Sequence, residues 1–259
     1  AFEIADLDVS DGDALADGDT VTVTVQNTGE LAGSASVSAM YGTEAGEPFA
    51  GEVTATETID GGAAEAVSLP VDLSDDTARA GGFDGTLTVA LGEDESRETP
   101  VTLEFGPLPA AVDAAGANET VLVGSDAPVD ETALVDSRNV TITGVGTPTL
   151  TPSVTDTAVD VTTDETTIEG ITFASEDADG ATAVAVGADA TGTELREVTF
   201  TGTAEATWGR AVADAGTDTT IRYATIRGVK YGVYATGDDL AVIDSDIRDS
   251  ENATELVAG

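Results

Sequence analysis

Three related segments in the second half of the chain decide the fold: TTIEGITFAS (166–175), TELREVTFTG (193–202) and TTIRYATIRG (219–228). RNVTITG (138–144) and LAVIDSDIRD (240–249) extend this series, whose members align at Val140, Ile168, Leu195, Ile221 and Val242. A second series, formed by TAVDV, TAVAV, RAVAD, YGVYA and ELVAG, aligns at Val159, Val184, Val212, Val233 and Val257. Two strand-like patterns that recur together about every 20 to 30 residues predict a solenoid, because each repeat buries its apolar side only by stacking on the next.

The segment before the repeats, PLPAAVDAAGANETVLV (107–123), predicts a short helix over 110–115 followed by a strand over 120–123. Pro109 suits the first helical turn, and Gly116 suits the helix end. Residues 107–259 resemble a right-handed parallel β-helix of the pectate-lyase type. The resemblance implies that the helix caps the first rung, and the two series predict about five rungs.

Residues 1–106 alternate between apolar and polar residues in seven short segments separated by Gly and Asp turns. This period of two predicts the strands of a β-sandwich, with a register shift between Ile4 and Leu7. Pro70 lies within the fifth segment and predicts an edge strand, because proline donates no ladder hydrogen bond. The sequence therefore predicts an all-β chain with a sandwich at 1–106 and a β-helix at 107–259.

The stretch DGDTVTVTVQNTGELAGSASVSAMYG (17–42) combines a valine-rich strand, Asn-Thr-Gly and a second strand. It resembles the cell-adhesion-related domain of bacterial and archaeal surface proteins. The resemblance implies an immunoglobulin-like module that serves as a spacer or a binding unit.

Six aspartates precede the valine-rich strand: Asp6, Asp8, Asp11, Asp13, Asp17 and Asp19. We interpret 11–19 as the acidic turn between the first two strands. An EF-hand loop needs acids at positions 1, 3 and 5, glycine at 6 and glutamate at 12, and no register of this stretch provides them. We predict no cofactor and no metal ligand, although a looser calcium site formed by Asp8, Asp11 and Asp13 stays open.

The charge indicates a protein of an extreme halophile. The formal net charge is −41, with 50 acidic residues against 9 basic ones and no histidine. Such a chain repels itself in dilute buffer, but the Debye length falls to about 3 Å at 1 M salt. A polyanion of this strength does not bind nucleic acid electrostatically, and no apolar run is long enough for a transmembrane helix.

Three of the four asparagines lie in glycosylation sequons: Asn118-Glu119-Thr120, Asn139-Val140-Thr141 and Asn252-Ala253-Thr254. N-glycosylation occurs on surface loops of secreted proteins. The sequons therefore predict an extracellular glycoprotein on a cell or virion surface.

The solenoid pattern also raises the alternative of a polysaccharide-cleaving enzyme. Glycoside hydrolysis needs two carboxylates about 5–9.5 Å apart. The predicted outward row, however, consists of Thr172, Thr199, Thr225 and Asp246, and no rung presents a carboxylate pair. A lyase site would need Asp244, Asp246 and Asp249 beside Arg227 or Arg248. We predict no catalytic residues and favour a non-enzymatic protein.

Aromatic and basic residues are concentrated in 208–234, although both are scarce in the whole chain. Such residues are enriched where proteins meet partners. We therefore predict a binding patch. The alternative is that the aromatic residues pack against the stacked rungs of the solenoid and that the arginines form ion pairs with nearby acids. Its members are Trp208, Arg210, Arg222, Tyr223, Arg227, Lys230, Tyr231 and Tyr234.

Two functions remain open at this point. The first is an extracellular structural or adhesive protein that belongs to a larger assembly, such as a stalk, filament, or virion spike or fibre. The second is a carbohydrate-binding or polysaccharide-cleaving β-helix protein, either a lyase or a hydrolase. The last line of the second series ends at 256–257, and we expect this end of the β-helix to be open to other copies or surface proteins, with polysaccharide as a further partner.

Overall fold

The computed structural model describes residues 1–43, 52–73, 77–93, 95–175, 180–202 and 208–256. The chain is all-β, with 58% strand and 3% helix. It divides into two compact units, one formed by 1–76 and 82–105 and the other by 77–81 and 106–259.

The described residues of the first unit form two sheets. Their strands are β1 (Phe2–Leu7), β2 (Asp13–Ala16), β3 (Thr20–Asn27), β4 (Gly33–Thr43), β5 (Val53–Ile59), β6 (Ala64–Pro70), β7 (Ala78–Leu91) and β8 (Glu95–Phe105). One sheet has the strand order β1-β3-β6, and the other has the order β2-β8-β7-β4-β5. The predicted alternation is confirmed on β3, where Val21, Val23 and Val25 are fully buried and the residues between them are partly exposed.

Two finer predictions for this unit are also confirmed. The pairing of β1 with β3 shifts register between Ile4 and Asp6. Pro70 lies on β6, which is an end strand of its sheet.

The acidic segment 11–19 is not a simple turn, and this interpretation was wrong. Residues Asp13–Ala16 form β2, which pairs in parallel with β8, and Leu15 is buried between Ala14 and Ala16. Asp13 and Asp19 each accept a hydrogen bond at 2.8 Å from a backbone N–H three residues earlier, at Ser10 and Ala16. These aspartates therefore close the two turns that flank β2.

The strand β7 begins earlier than its apolar alternation indicates. Its first residues, Ala78 to Ala80, belong to the second unit and pair in parallel with β9 (Thr120–Val123). Gly81 follows with a φ of 80°, and a Cβ at this position would lie 2.5 Å from the carbonyl oxygen of Ser125. This segment has only three residues, too few for an apolar alternation to predict a strand.

The second unit opens with α1 (Leu108–Ala114), which begins two residues before the predicted helix. Its buried residues, Leu108, Ala111 and Val112, belong to the hydrophobic core of this unit. Parallel strands then wind as a β-helix-like solenoid with three sheets. The first sheet comprises β9, β11 (Thr141–Gly144), β14 (Thr167–Glu169), β17 (Glu194–Arg196), β20 (Thr220–Arg222) and β23 (Ala241–Ile243).

The other two sheets follow the same order along the chain. The second comprises β10 (Ala133–Val135), β13 (Thr157–Val161), β16 (Thr182–Val186), β19 (Arg210–Asp214), β22 (Tyr231–Ala235) and β25 (Asn252–Leu256). The third comprises β12 (Thr149–Leu150), β15 (Thr172–Ser175), β18 (Thr199–Gly202), β21 (Thr225–Arg227) and β24 (Asp246–Arg248).

The predicted register holds through the middle rungs and fails at one end of each series. Ile168, Leu195, Ile221 and Val242 pair as expected. Their partner on β11 is Ile142 rather than Val140; both residues are buried, so the apolar pattern did not distinguish them. In the second series Val159, Val184, Val212 and Val233 pair as expected. On β25 the partner of Val233 is Thr254, and Val257 lies outside the described residues.

The first of the two repeated patterns corresponds to two sheets, the first and the third, rather than to one. Each repeat such as TTIEGITFAS is two strands separated by a residue in the left-handed region. These residues are Gly170, Glu197, Tyr223 and Asp244, with φ between 47° and 67°. Because three of the four are not glycine, the break carries little signal in the sequence.

The core consists of rows of equivalent inward residues stacked along the solenoid. The Phe173 and Phe200 rings stack with centroids 5.4 Å apart. In the first sheet, Ile221 is fully buried, whereas Val242, its partner on β23, is 39% exposed, and the neighbouring Ile243 is 45% exposed. Apolar side chains of the last described rung therefore meet solvent.

Candidate contact surface

Trp208 does not belong to a surface patch. Its side chain is fully buried and lies in the hydrophobic core of the solenoid. The alternative interpretation, that this residue packs against the stacked rungs of the solenoid, is therefore correct for Trp208.

Four of the predicted patch residues meet on the second sheet. Arg210 begins β19, Tyr231 and Tyr234 lie on β22, and Lys230 immediately precedes β22. We call these four residues the tyrosine–cation surface. Register places them together, because Arg210 pairs with Tyr231 and Ala213 pairs with Tyr234.

The two rings and the two cations of this surface contact each other. The centroids of Tyr231 and Tyr234 are 6.1 Å apart, with the rings nearly perpendicular. The Arg210 guanidinium carbon lies 4.6 Å from the Tyr234 centroid, and Lys230 Nζ lies 5.6 Å from the Tyr231 centroid. Both distances are within the range of cation–π attraction.

Small and polar residues surround the tyrosines on neighbouring strands. The row that contains Tyr234 continues as Ala213 and Ala185 on one side and as Glu255 on the other. Tyr231 pairs with Asn252, the acceptor asparagine of one sequon. The tyrosines therefore lie beside small side chains, and both are partly exposed to solvent.

Arg210 and Lys230 differ from the other cations because neither forms an ion pair with any residue that the structure describes. Most of the remaining arginines do pair with carboxylates. The pairs are Arg97–Glu95, Arg138–Glu165, Arg196–Glu169, Arg222–Glu194, Arg227–Asp246 and Arg248–Asp246. With 50 acids against 9 bases, an unpaired cation is unexpected. This feature could not be predicted from the sequence.

The structure separates the other members of the predicted patch. Arg222 lies on β20 in the first sheet, where it pairs with Glu194. Tyr223 follows in the left-handed turn and is 53% exposed. Arg227 lies on β21 in the third sheet. The eight predicted residues thus do not form one surface.

Asp246, one of the three aspartates considered for a lyase site, is paired with two arginines. Arg227 Nη2 and Arg248 Nε donate to the two oxygens of Asp246 at 3.1 and 2.6 Å. The hydrogen bond from Arg248 is the main cause that lowers the pKa of Asp246. Asp244 and Asp249 occupy left-handed turns. The outward threonine row that ends at Asp246 is confirmed.

Two aspartates of the acidic N-terminal segment accept hydrogen bonds from backbone N–H groups. Asp8 Oδ1 accepts a hydrogen bond from the Thr22 N–H at 2.8 Å, and Asp17 Oδ1 accepts one from Leu73 at 3.0 Å. Among the residues described, no group of three or more Asp, Glu, His or Cys side chains is arranged to hold a metal ion.

The three sequon asparagines are exposed but differ in their contacts. Asn118 and Asn139 stack in left-handed turns with φ of 67° and 56°, and Asn139 Nδ2 donates to Asn118 Oδ1 at 2.9 Å. The amide nitrogen that a glycan would occupy on Asn139 is thus engaged. Asn252 begins β25, and its side chain makes no hydrogen bond to a described residue.

Searches with protein-family models, curated proteins and solved structures return no match to this chain. Among the described residues, no helix has the length and apolar character needed to cross a membrane.

Proposed function

We propose that the chain belongs to an extracellular structural or adhesive surface glycoprotein of an extreme halophile, from a haloarchaeon or its virus. The charge of −41 and the sequons support this proposal. If it holds, circular dichroism should report loss of the fold well below about 1 M salt, where self-repulsion is poorly screened. An unchanged melting temperature in dilute buffer would contradict the halophilic origin.

The finer fold assignment supports the same proposal. In the first unit, the orders β1-β3-β6 and β5-β4-β7-β8-β2 fit an immunoglobulin-like sandwich, with β2 as a split first strand. In the second unit, we infer a right-handed winding, because parallel crossover connections are right-handed in about 98% of cases. The packing of α1 into the core supports a cap on the first rung.

The proposed adhesive function rests mainly on the tyrosine–cation surface. Two cations without ion pairs, ordered over two accessible tyrosines, suit a partner that brings carboxylates or sulfates. In concentrated salt, long-range attraction is screened, so contact-range hydrogen bonds and stacking must supply the affinity. The partner is therefore a second copy of this acidic chain or an acidic polysaccharide.

A binding panel in about 3 M salt separates these partners. The protein is titrated with an acidic polysaccharide, with its carboxyl-reduced neutral form, and with labelled copies of itself. We expect saturable binding to one anionic partner and none to the neutral form. Binding to neither anionic partner would contradict the adhesive function.

The second candidate is a carbohydrate-binding or polysaccharide-cleaving protein, and the tyrosine pair beside small residues favours carbohydrate binding. Cleavage is tested in the same panel by the size of the polysaccharide after incubation, with and without calcium. Shortened chains would establish a lyase or hydrolase.

The last described rung suits a second contact. Val242 is 39% exposed, whereas Ile221, its equivalent on the preceding rung, is fully buried, and the neighbouring Ile243 is 45% exposed. We propose that other copies or surface proteins dock on this end. Light scattering in concentrated salt should show assembly that increases with protein concentration and that Val242→Asp abolishes. Strictly monomeric protein at all concentrations would contradict docking between copies.

We further propose that Asn252 is preferred over Asn139 as a glycan acceptor, because the Asn252 side chain is exposed and engages no described residue, whereas Asn139 Nδ2 donates to Asn118 Oδ1. Mass spectrometry of peptides from the natural source tests this preference. A glycan on Asn139 with Asn252 unmodified would contradict it.

A further inference from the structure

A carboxylate lies inside the solenoid with one oxygen unsatisfied. Asp214 ends β19 and is 2% exposed, in an inward row with Val186 and Ala235. Its Oδ1 accepts hydrogen bonds from Thr219 Oγ1 at 2.9 Å and from the Gly216 N–H at 3.1 Å. Its Oδ2 is buried and receives no hydrogen bond from any described residue. A buried carboxylate without full compensation is costly.

Further oxygens without hydrogen-bond partners lie in the same corner of the solenoid, which is the turn between the second sheet and the first sheet. Thr166, Thr193 and Thr219 occupy equivalent buried positions on successive rungs, before β14, β17 and β20. The Oγ1 atoms of Thr166 and Thr193 are buried and have no partner among the described residues. Thr219, the next residue in this row, donates its hydroxyl hydrogen to Asp214 Oδ1.

Two backbone carbonyls of the preceding rung lie close to Gly216, whose N–H donates to Asp214, and each accepts one backbone hydrogen bond. A Cβ added to Gly216 would lie 2.8 Å from the carbonyl oxygen of Ala190 and 3.3 Å from that of Gly187. A carbonyl oxygen has two lone pairs and can accept a second interaction. The corner thus combines one carboxylate oxygen with neutral hydroxyl and carbonyl oxygens.

We propose that this corner binds one alkali-metal cation, K⁺ or Na⁺, with Asp214 Oδ2 as the charged ligand and threonine and backbone oxygens as neutral ligands. A single positive charge neutralises the single carboxylate. A divalent ion would leave a net charge in the core, and Ca²⁺ and Mg²⁺ are held by carboxylate-rich or hydrated sites.

A proton is the main competitor for the same oxygen. Burial raises the pKa of Asp214, and the hydrogen bonds from Thr219 and Gly216 lower it. The substitution Asp214→Asn keeps an acceptor for both hydrogen bonds but removes the charge, so it mimics the protonated acid.

The test compares thermal unfolding of the whole chain in potassium chloride, sodium chloride and choline chloride at the same total concentration of about 2 M, which fixes the screening. A cation that binds only the native state raises the melting temperature in proportion to the logarithm of its concentration above its Kd. We expect the wild type to melt several degrees higher in potassium or sodium than in choline, and Asp214→Asn to lose most of this difference. Asp218→Asn, at an exposed position in the same turn, is the matched control and should keep it.

Equal melting of the wild type in all three salts would overturn the proposal, as would an undiminished difference in Asp214→Asn. A long-wavelength anomalous difference map of crystals grown in potassium chloride gives a second readout that needs no variant. A peak in contact with Asp214 Oδ2 supports the site. A density that behaves as water, or none, contradicts it.

Discussion

The guanidinium of Arg210 lies over the ring of Tyr234 on the neighbouring strand, with 4.6 Å between Cζ and the ring centroid. Arginine on an exposed aromatic ring gains about 0.5–1 kcal/mol, which orders the side chain without using its outer N–H groups. These groups therefore remain available to an anionic partner, and this relationship distinguishes Arg210 from the arginines that pair with carboxylates.

Truncation of the buried Trp208 should destabilise the fold far more than truncation of the accessible Tyr231. We expect Trp208→Ala to lower the free energy of unfolding by about 3–5 kcal/mol, as for other buried aromatic residues. Tyr231→Ala should cost less than about 1 kcal/mol, because its ring is partly exposed. Denaturant unfolding in concentrated salt measures both. Similar losses for the two variants would contradict the assignment of Tyr231 to the surface.

Tyr41 is fully buried in the first unit, and no described residue bonds to its hydroxyl. Burial also raises the pKa of Tyr41 to about 12. Tyr41→Phe removes an unsatisfied polar group and should stabilise the fold by about 1 kcal/mol. A lower melting temperature for this variant would show that the hydroxyl has a partner that matters.

Close backbone packing makes Gly209 irreplaceable, even though its φ is not in the left-handed region. A Cβ at Gly209 would lie 2.2 Å from the carbonyl oxygen of Gly180 on the neighbouring rung. Gly209→Ala should therefore cost about 1–3 kcal/mol or more by overpacking. Gly106→Ala, where no atom lies within 4 Å of the added Cβ, is the control. Equal stabilities of the two variants would refute the stacking at this position.

Asp160 should give the solenoid a stability that falls as pH rises. Burial and then the charge of Asp156 raise the pKa of Asp160 above that of an exposed aspartate. The folded state then holds this proton more tightly than the unfolded state. Its contribution is complete below the unfolded pKa and is lost as pH rises through the folded pKa.

Asp160→Asn removes this pH-dependent contribution to stability. The melting temperature of the variant minus that of the wild type should therefore rise between about pH 4 and pH 7. Asp189→Asn removes an exposed acid and controls for net charge. A difference between Asp160→Asn and wild type that stays constant over this range would contradict the prediction.

The inward rows were predictable because they repeat: Phe173 and Phe200, for example, occupy equivalent positions in similar segments. The break between the first and third sheets was not, because Glu197, Tyr223 and Asp244 adopt the left-handed turn that glycine would have revealed. The strand β2 was missed for a related reason, since only Leu15 within it is apolar and buried.

The composition indicated the segment that contains the tyrosine–cation surface, but it did not show which residues of the segment form that surface. Trp208 and Tyr231 are both aromatic residues of the same segment, and only the packing shows that Trp208 lies in the core and Tyr231 at the surface. The ion pairs of Arg222 and Arg227 depend on strands one rung away, so their removal from the patch required the register.

The most direct test of the tyrosine–cation surface compares two double variants of equal charge in the binding panel. Arg210→Gln with Lys230→Gln removes both unpaired cations, whereas Arg138→Gln with Arg248→Gln removes two exposed arginines that are ion-paired. Affinity for the anionic partner is measured by titration in about 3 M salt, with melting temperatures as a check on folding. We predict that the first variant binds at least about tenfold more weakly and that the second binds like the wild type, since a lost charge-assisted contact is worth about 1.5–3 kcal/mol. Equal affinity of both variants and the wild type would contradict the account.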